Sequence, residues 1–389
     1  MEELGRKFPV CIPETLVGND ASNETGNMLS ERGFHKTLIV TDGDIVKAGL
    51  VEPIEASLRT KGVHYLVFDG CEPNGPIDVI VECAGVVKKE GCDSVIGVGG
   101  GSAMDIAKVA SVLVTNNEDV YNFIGRDRIK VPGLFKALIP TTAGTGSEWS
   151  NAAIVTDERD GQKKPIFSRY MWPDVVIIDP LMSLDLPPKV TADTGIDALT
   201  HAIEAYAGWK ANTVSDMFAE KAIQLVSNNL RIAYAKGRKH IEARYNLCLA
   251  AAFAMAAHTS SSAGLVHSMN YPLTAKTHVS HGAALALLLP HVMEFNLPGC
   301  LGKYAKIAQI MGENIEGCSP IDAAQKSVEA VRKLCRDVGM PQRMSQVGFK
   351  KEFIADALDF LFEFQLYGME NNPRDVSRED IVRIYEAAL

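Results

Sequence analysis

The chain has 389 residues, a formal charge of −9 and 47% hydrophobic residues. That acidic balance argues against nucleic acid, whose phosphates demand a basic face, and no Lys/Arg-rich run overrides it. No stretch approaches about 18 uncharged apolar residues and the N-terminus lacks a basic segment followed by an apolar one, so the expectation is a cytoplasmic protein without a membrane span, acting on a small molecule.

At about 100–200 residues per domain the length implies two domains. Cys11, Cys71, Cys83, Cys92, Cys248, Cys300, Cys318 and Cys335 are scattered without a CxxC pair, which fits neither a disulfide framework nor a zinc ribbon and reads as reduced core residues.

In chain order, KTLIVTD, HYLVFDG, DSVIGVGG, FKALIPTT, NAAIVTD and DVVIIDP read as strands, and SAMDIAKVASVLVT as a helix between two of them. Such alternation implies βαβ units and a mostly parallel sheet, predicting an α/β dinucleotide-binding domain over residues 1–185. Beyond LMSLDLPPKVTADTG the strand-like runs give way to long Ala/Leu-rich amphipathic stretches such as SDMFAEKAIQLVSNNLRIAYA and EARYNLCLAAAFAMAAH. Residues 186–389 are therefore expected to be helical, with Pro187 and Pro188 marking a hinge. The closing segment NNPRDVSREDIVRIYEAAL reads as a loop entering a final helix capped by Ser377.

Three segments of the first domain carry candidate chemistry. In VIGVGGGSAMDIAK a strand ends on Gly99, Gly100, Gly101 and Ser102 before a helix begins. Glycines there let the backbone approach a pyrophosphate that the helix N-terminus attracts; the competing reading is a plain tight turn. PTTAGTGSE again follows a strand and offers Thr141, Thr142 and Thr145 to phosphate, ribose or a nicotinamide amide, unless it too is only a turn. Asp42 ends the strand TLIVTD, where it either accepts hydrogen bonds from ribose hydroxyls, selecting NAD over NADP, or caps the next helix.

The second domain carries four metal-capable side chains. Asp197 and His201 stand four apart in TADTGIDALTHAIEAY, on one helical face a turn apart, and His267 and His281 follow in AGLVHSMNYPLTAKTHVSHGAALALLLPHV. Each histidine alone reads more simply as a satisfied structural residue. The set is different, because several imidazoles in an apolar helical region are costly to bury unless something satisfies them. One carboxylate and three imidazoles suit Fe²⁺, Zn²⁺ or Mn²⁺ as a Lewis acid.

Taken in order, GGGSAMD, TTAGTGSE, TGIDALTHAIEAY, AGLVH, HGAALALLLPHV and NNPR resemble the motif series of the iron-containing (group III) alcohol dehydrogenases, across nearly the whole chain. The resemblance implies a Rossmann-like N-terminal domain, an all-α C-terminal domain, a cleft between them holding NAD(P), here NAD(H) by Asp42, and, as often in the family, a homodimer. It places Asp197, His201, His267 and His281 at the metal, Gly99 to Ser102 at the pyrophosphate, Thr141, Thr142 and Thr145 at the second cofactor loop, and Asp42 as an NAD marker. Lys164 in GQKKPIF looks similar to a cofactor-contacting lysine.

Where many relatives carry a further histidine and a pocket phenylalanine, this chain has Tyr271 and His258, and His278 lies one helical turn before His281. The activity implied is a metal-dependent, NAD-linked interconversion of an alcohol and an aldehyde, with Tyr271 or His278 passing the proton. A short aldehyde with a polar or anionic tail, of the sulfoacetaldehyde, phosphonoacetaldehyde or succinic semialdehyde class, is expected to sit against His258, Ser260, Ser261, Ser262 and Arg169. Two alternatives are a generic short-chain alcohol or diol dehydrogenase, with His258 and His278 merely orienting ligands, and a lyase resembling dehydroquinate synthase that returns its NAD.

Overall fold

The computed structural model describes residues 10–389. They divide between Asp185 and Leu184 into two compact units. In residues 11–184 nine strands form: β1 (Glu14–Val17), β2 (Lys36–Val40), β3 (His64–Phe68), β4 (Ser94–Gly99), β5 (Gly125–Arg126), β6 (Phe135–Pro140), β7 (Ala152–Asp157), β8 (Gln162–Phe167) and β9 (Val175–Ile178). Between them lie helices α1 (Thr25–Glu31), α2 (Gly43–Lys47), α3 (Glu52–Thr60), α4 (Ile77–Glu90) and α5 (Gly101–Asn116).

Six strands pair in parallel in the order β1-β9-β6-β4-β2-β3. The alternation of their side chains explains why both faces need cover. Leu38, Val40, Val95 and Leu138 pack into one core with α4 and α5, whereas Ile39, Ile96, Val98, Ala137 and Ile139 pack into the other with α1 and α3. A parallel sheet wrapped on both faces is the Rossmann-like layer expected from the sequence.

Two strands depart from that expectation. NAAIVTD is not part of the parallel sheet; it forms β7 of a separate three-stranded sheet, antiparallel to β8, with β5 on the outer side of β8. The partner β8, QKKPIF, escapes a sequence reading because Pro165 and two lysines weaken its strand signal, a pattern tolerated away from a buried sheet centre.

Residues 185–389 are all helix: α6 (Pro188–Ala207), α7 (Thr213–Lys236), α8 (Ile241–Ser261), α9 (Leu265–Thr277), α10 (His281–Asn296), α11 (Leu301–Ile310), α12 (Pro320–Asp337), α13 (Ile354–Phe364), α14 (Leu366–Glu370) and α15 (Arg378–Ala388). Pro188 opens α6 at its first turn, where a missing N–H costs nothing, so the proline pair starts a helix instead of forming a linker. Ser377 caps α15 as expected, its hydroxyl accepting from Asp380 N. Helices α8 and α9 meet at a bend of 109°, and no single described helix is long and apolar enough to cross a membrane.

Candidate functional site

Because β2, β4 and β6 are neighbours running the same way, their ends deliver Asp42, the glycine turn and the threonine loop to one edge of the sheet. Gly99 has φ of 151°, and a Cβ there would stand 2.8 Å from Ala103 Cβ, so only glycine fits. Gly100 precedes α5 with no side chain capping the helix, which leaves first-turn N–H groups for an anion. The two loops press together: Thr141 N donates to Gly99 O at 2.9 Å, and a Cβ on Gly101 would come within 3.1 Å of Thr145 Oγ1. A side chain in place of Gly99 or Gly101 would collide with Ala103 or Thr145.

Both readings of Asp42 find a place on one carboxylate. Oδ1 caps α2, accepting from Asp44 N and Ile45 N at 3.0 Å each. Oδ2 lies 3.9 Å from where a Gly99 Cβ would be, beside the glycine turn. Ser102 Oγ accepts from Asn74 N at 3.0 Å and so anchors that neighbouring segment. Lys164 is different. Its ammonium is held by Asp157 Oδ2 at 2.7 Å and Asp160 Oδ2 at 2.5 Å in the β7–β8 hairpin.

The threonine loop has a buried anchor that sequence reasoning missed. Lys108, fully buried in α5, donates to Ser147 Oγ at 2.7 Å and Ser147 O at 3.0 Å, and pairs with Asp105 Oδ1 at 2.9 Å. Asp105 also accepts from Ser147 Oγ at 2.5 Å and from Ile154 N at 2.8 Å. The ion pair is affordable in the core only because each lone pair and proton has a partner.

In the helical unit the four metal candidates gather around one oxygen. Asp197 Oδ1 lies 3.5 Å from His201 Nδ1, 3.5 Å from His267 Nε2 and 3.4 Å from His281 Nε2. Asp197 Oδ1, His201 Nδ1 and His267 Nε2 are buried without a hydrogen-bond partner. Such orphaned atoms are expensive unless a ligand satisfies them. A tetrahedral ion with bonds of about 2.1 Å has ligand-to-ligand edges of about 3.4 Å, matching these spacings.

Asp197, His267 and His281 can each present one ligand atom so that all lie within 4.8 Å of one another. His201 is not in that group; its ring stacks on His267 with centroids 4.4 Å apart. His281 keeps 39% of its side chain exposed while Asp197 and His267 keep 5% and 8%, so the group is open on the His281 side, unlike a closed structural site.

The charges follow the burial. Burial works against the Asp197 carboxylate, yet the facing imidazoles outweigh it and hold the carboxyl well below its ordinary range. Burial holds His201 well below the ordinary imidazole value. Burial also opposes a charged His267, but Glu204 and Asp197 push it up to about 9.

Glu204 is the residue of this site that the sequence reading passed over. It lies in the quoted motif TGIDALTHAIEAY, seven after Asp197 and hence on the same helical face. Its Oε2 accepts from His267 Nδ1 at 2.5 Å. On the other side, Asn270 sets its amide 2.7 Å from His281 Nδ1; turned with Oδ1, which has no other partner, toward the ring, it accepts Nδ1–H and leaves Nε2 facing Asp197.

Around this centre, His258 stands edge-on to His201 at 4.9 Å, with Nδ1 buried and unpartnered, and burial lowers it to about 4. Ser260 and Ser261 turn their hydroxyls back onto Ala256 O and Ala257 O, at 2.8 and 3.0 Å, so they are not a free cradle for an anion. Burial raises the Tyr271 hydroxyl above its ordinary value, and the neighbouring Tyr367 side chain works against that rise. His278 corrects the sequence reading: it ends α9 with φ of 55°, and α10 begins at His281, so it does not lie one helical turn before that residue. Arg169 stacks on Tyr170 in the other unit.

The NNPR segment acts as a clip. Asn371, fully buried, donates from Nδ2 to Ser262 O and Ala263 O at 3.0 Å each, and accepts from Lys210 N at 2.9 Å and Trp209 N at 2.7 Å. Ser262 has φ of 141°, a strained value that persists because its surroundings fix it.

Residues 13–180 match the family model described as iron-containing alcohol dehydrogenase, and residues 191–389 match that of the C-terminal region of the same family. The chain is 35% identical to sulfoacetaldehyde reductase of Bilophila wadsworthia (strain 3_1_6) over 95% of its own length and 94% of that protein's. It is 36% identical to 1,3-propanediol dehydrogenase of Klebsiella pneumoniae, over 98% and 99% of the two chains. A sulfoacetaldehyde reductase from Bifidobacterium kashiwanohense, solved in complex with NAD⁺, superposes with a TM-score of 0.88 at 28% identity, covering 98% of this chain and 99% of that one.

Proposed function

Because the chain belongs to the iron-containing alcohol dehydrogenases, NAD-linked oxidoreductases of alcohols and aldehydes, we propose that it reduces short aldehydes bearing a polar tail, with NADH as hydride donor. In this reading Asp197, His201, His267 and His281 hold one divalent ion, Fe²⁺ or Zn²⁺. The observation that carries it is the convergence of three imidazole nitrogens on Asp197 Oδ1, two of them buried without partners. When bound, the ion supplies a Lewis acid that draws charge from a carbonyl oxygen.

The chain's own groups divide the remaining work. Gly99, Gly100, Gly101 and Ser102 seat the pyrophosphate, Thr141, Thr142 and Thr145 the adjoining part of the cofactor, and Asp42 Oδ2 favours a free ribose hydroxyl over a 2′-phosphate. In reduction Tyr271 Oη gives its proton to the carbonyl oxygen and is reprotonated from solvent by way of the neighbouring Tyr367, whose side chain reaches the surface at 36% exposure. His258 offers a neutral imidazole to the substrate tail, a role that an alkyl group would leave unsatisfied. The names of two relatives, one for a sulfonated aldehyde and one for a diol, support a polar tail. A cytoplasmic setting is supported by cysteines scattered through the sequence without a CxxC pair.

The test is a panel of propanal, hydroxyl-tailed and sulfonate-tailed aldehydes with NADH and NADPH, on protein loaded separately with Fe²⁺ and Zn²⁺. Stoichiometric NADH consumption is expected, fastest with a polar tail; NADH returned unchanged would instead mean the lyase. His258→Phe should raise KM for the polar-tailed substrates by about tenfold, the order of one hydrogen bond, while sparing propanal. Equal effects on both would remove His258 from tail binding.

A further inference from the structure

Helix α9, which carries His267, begins without a cap of its own: Gly264 precedes it and has no side chain to offer. Its first-turn N–H groups are taken by a residue of another helix. Glu204 of α6 accepts from Val266 N at 2.5 Å and His267 N at 3.4 Å through Oε1, and from Gly264 N at 3.2 Å through Oε2. The same Oε2 accepts from His267 Nδ1 at 2.5 Å. Gly264 is a glycine for this reason, since a Cβ there would fall 2.5 Å from Glu204 Oε1.

The geometry points to Glu204 as the positioning residue of the metal centre, a carboxylate that caps α9 from α6 and in the same contact holds the His267 ring by its Nδ1 proton, so that Nε2, facing Asp197, is the nitrogen an ion would take. A carboxylate left 8% exposed would be costly alone, but three N–H groups and the positive end of α9 stabilise it. With both jobs on one side chain, the first turn of α9 cannot shift without moving the ring. Asp197, His201 and Glu204 thus form one stripe of α6 that supplies two ligand candidates and orients a third.

The inference rests on the metal reading above, and its test separates the two. Zn²⁺ affinity is measured by competition with a chromophoric chelator for the wild type and Glu204→Gln, beside far-UV circular dichroism and NADH binding. The expectation is a loss of about 10–100-fold in Zn²⁺ affinity in Glu204→Gln, with helix content and NADH binding kept. Equal Zn²⁺ affinities in the two proteins would overturn the role of Glu204, whereas a wild type that binds no Zn²⁺ would overturn the metal reading itself. Should Glu204→Gln fail to fold, ¹⁵N spectra of the zinc-loaded wild type decide, the His267 signals being identified by their loss in His267→Asn. A protonated Nδ1 with a zinc-shifted Nε2 supports the inference, and the reverse assignment refutes it.

Discussion

Gly282 and Asp193 meet backbone against backbone: a Cβ on Gly282 would lie 2.0 Å from the Asp193 carbonyl oxygen. Ser280 Oγ donates to Asp193 Oδ1 at 2.8 Å beside this contact, so the start of α10 is held hard against the start of α6. Since His281 is the residue between them, the contact sets its distance to Asp197. In an open helix Gly→Ala stabilises by about 1 kcal/mol. Here Gly282→Ala should do the opposite, lowering the melting temperature by several degrees and weakening Zn²⁺ binding. A melt with and without Zn²⁺ checks both, and an unchanged or raised melting temperature would contradict the packing described.

His267→Ala removes both ring nitrogens, Nε2 that faces Asp197 and Nδ1 that is held by Glu204. Metal affinity should fall by more than about 100-fold, beyond the loss typical of outer partners, and turnover should fall with it. NADH binding should persist, because the glycine turn and threonine loop belong to the other unit. Metal analysis after dialysis and fluorescence titration with NADH measure the two separately; full activity in the metal-free variant would end the mechanism.

Lys108→Met leaves Asp105 as a buried carboxylate that has lost its cation, a change that costs about 3–5 kcal/mol. The Ser147 end of the threonine loop loses its two bonds from Lys108 at the same time, so the KM for NADH should rise along with the loss of stability. Chemical denaturation and NADH titration provide the readout. Wild-type stability would show that the pair contributes nothing net.

Glu148 is pushed up to about 7, chiefly by burial, from an ordinary carboxyl value of 4.5. The native state therefore keeps a proton that the unfolded chain releases near pH 4.5. The resulting stabilisation is complete below that pH and is lost as pH rises through about 7, up to about 3 kcal/mol over the window. Glu148→Gln should flatten that part of the pH profile of stability in metal-free protein. Parallel profiles for the two proteins between pH 4.5 and 7 would reject the shift.

Much of this was readable from residue order. Asp197 and His201 announce their shared helix face by spacing, and Gly99 to Gly101 announce a turn because they follow an apolar strand. What stayed hidden depends on contacts remote in sequence. Glu204 looks like one more polar residue of a helix until α9 is seen to begin against it, and Lys108 looks like a surface lysine of α5 until Ser147 and Asp105 close over it. His278 misleads for a local reason: the periodic pattern runs on through it, but the chain turns left-handed there and restarts at His281. Ser260 and Ser261 suggest an anion site by composition, although mid-helix hydroxyls readily bond to the preceding turn.

The Asn371 clip also bears on how the protein is made. It fastens the strained turn before α9 to the chain just beyond α6, yet it emerges from the ribosome after every ligand candidate has already been synthesised. A chain arrested before that point would carry all four side chains without the tether that holds Ser262 and Ala263. A chain ending before Asn371 is therefore expected to bind Zn²⁺ more weakly than the full chain, and Zn²⁺ titration of the two side by side checks it.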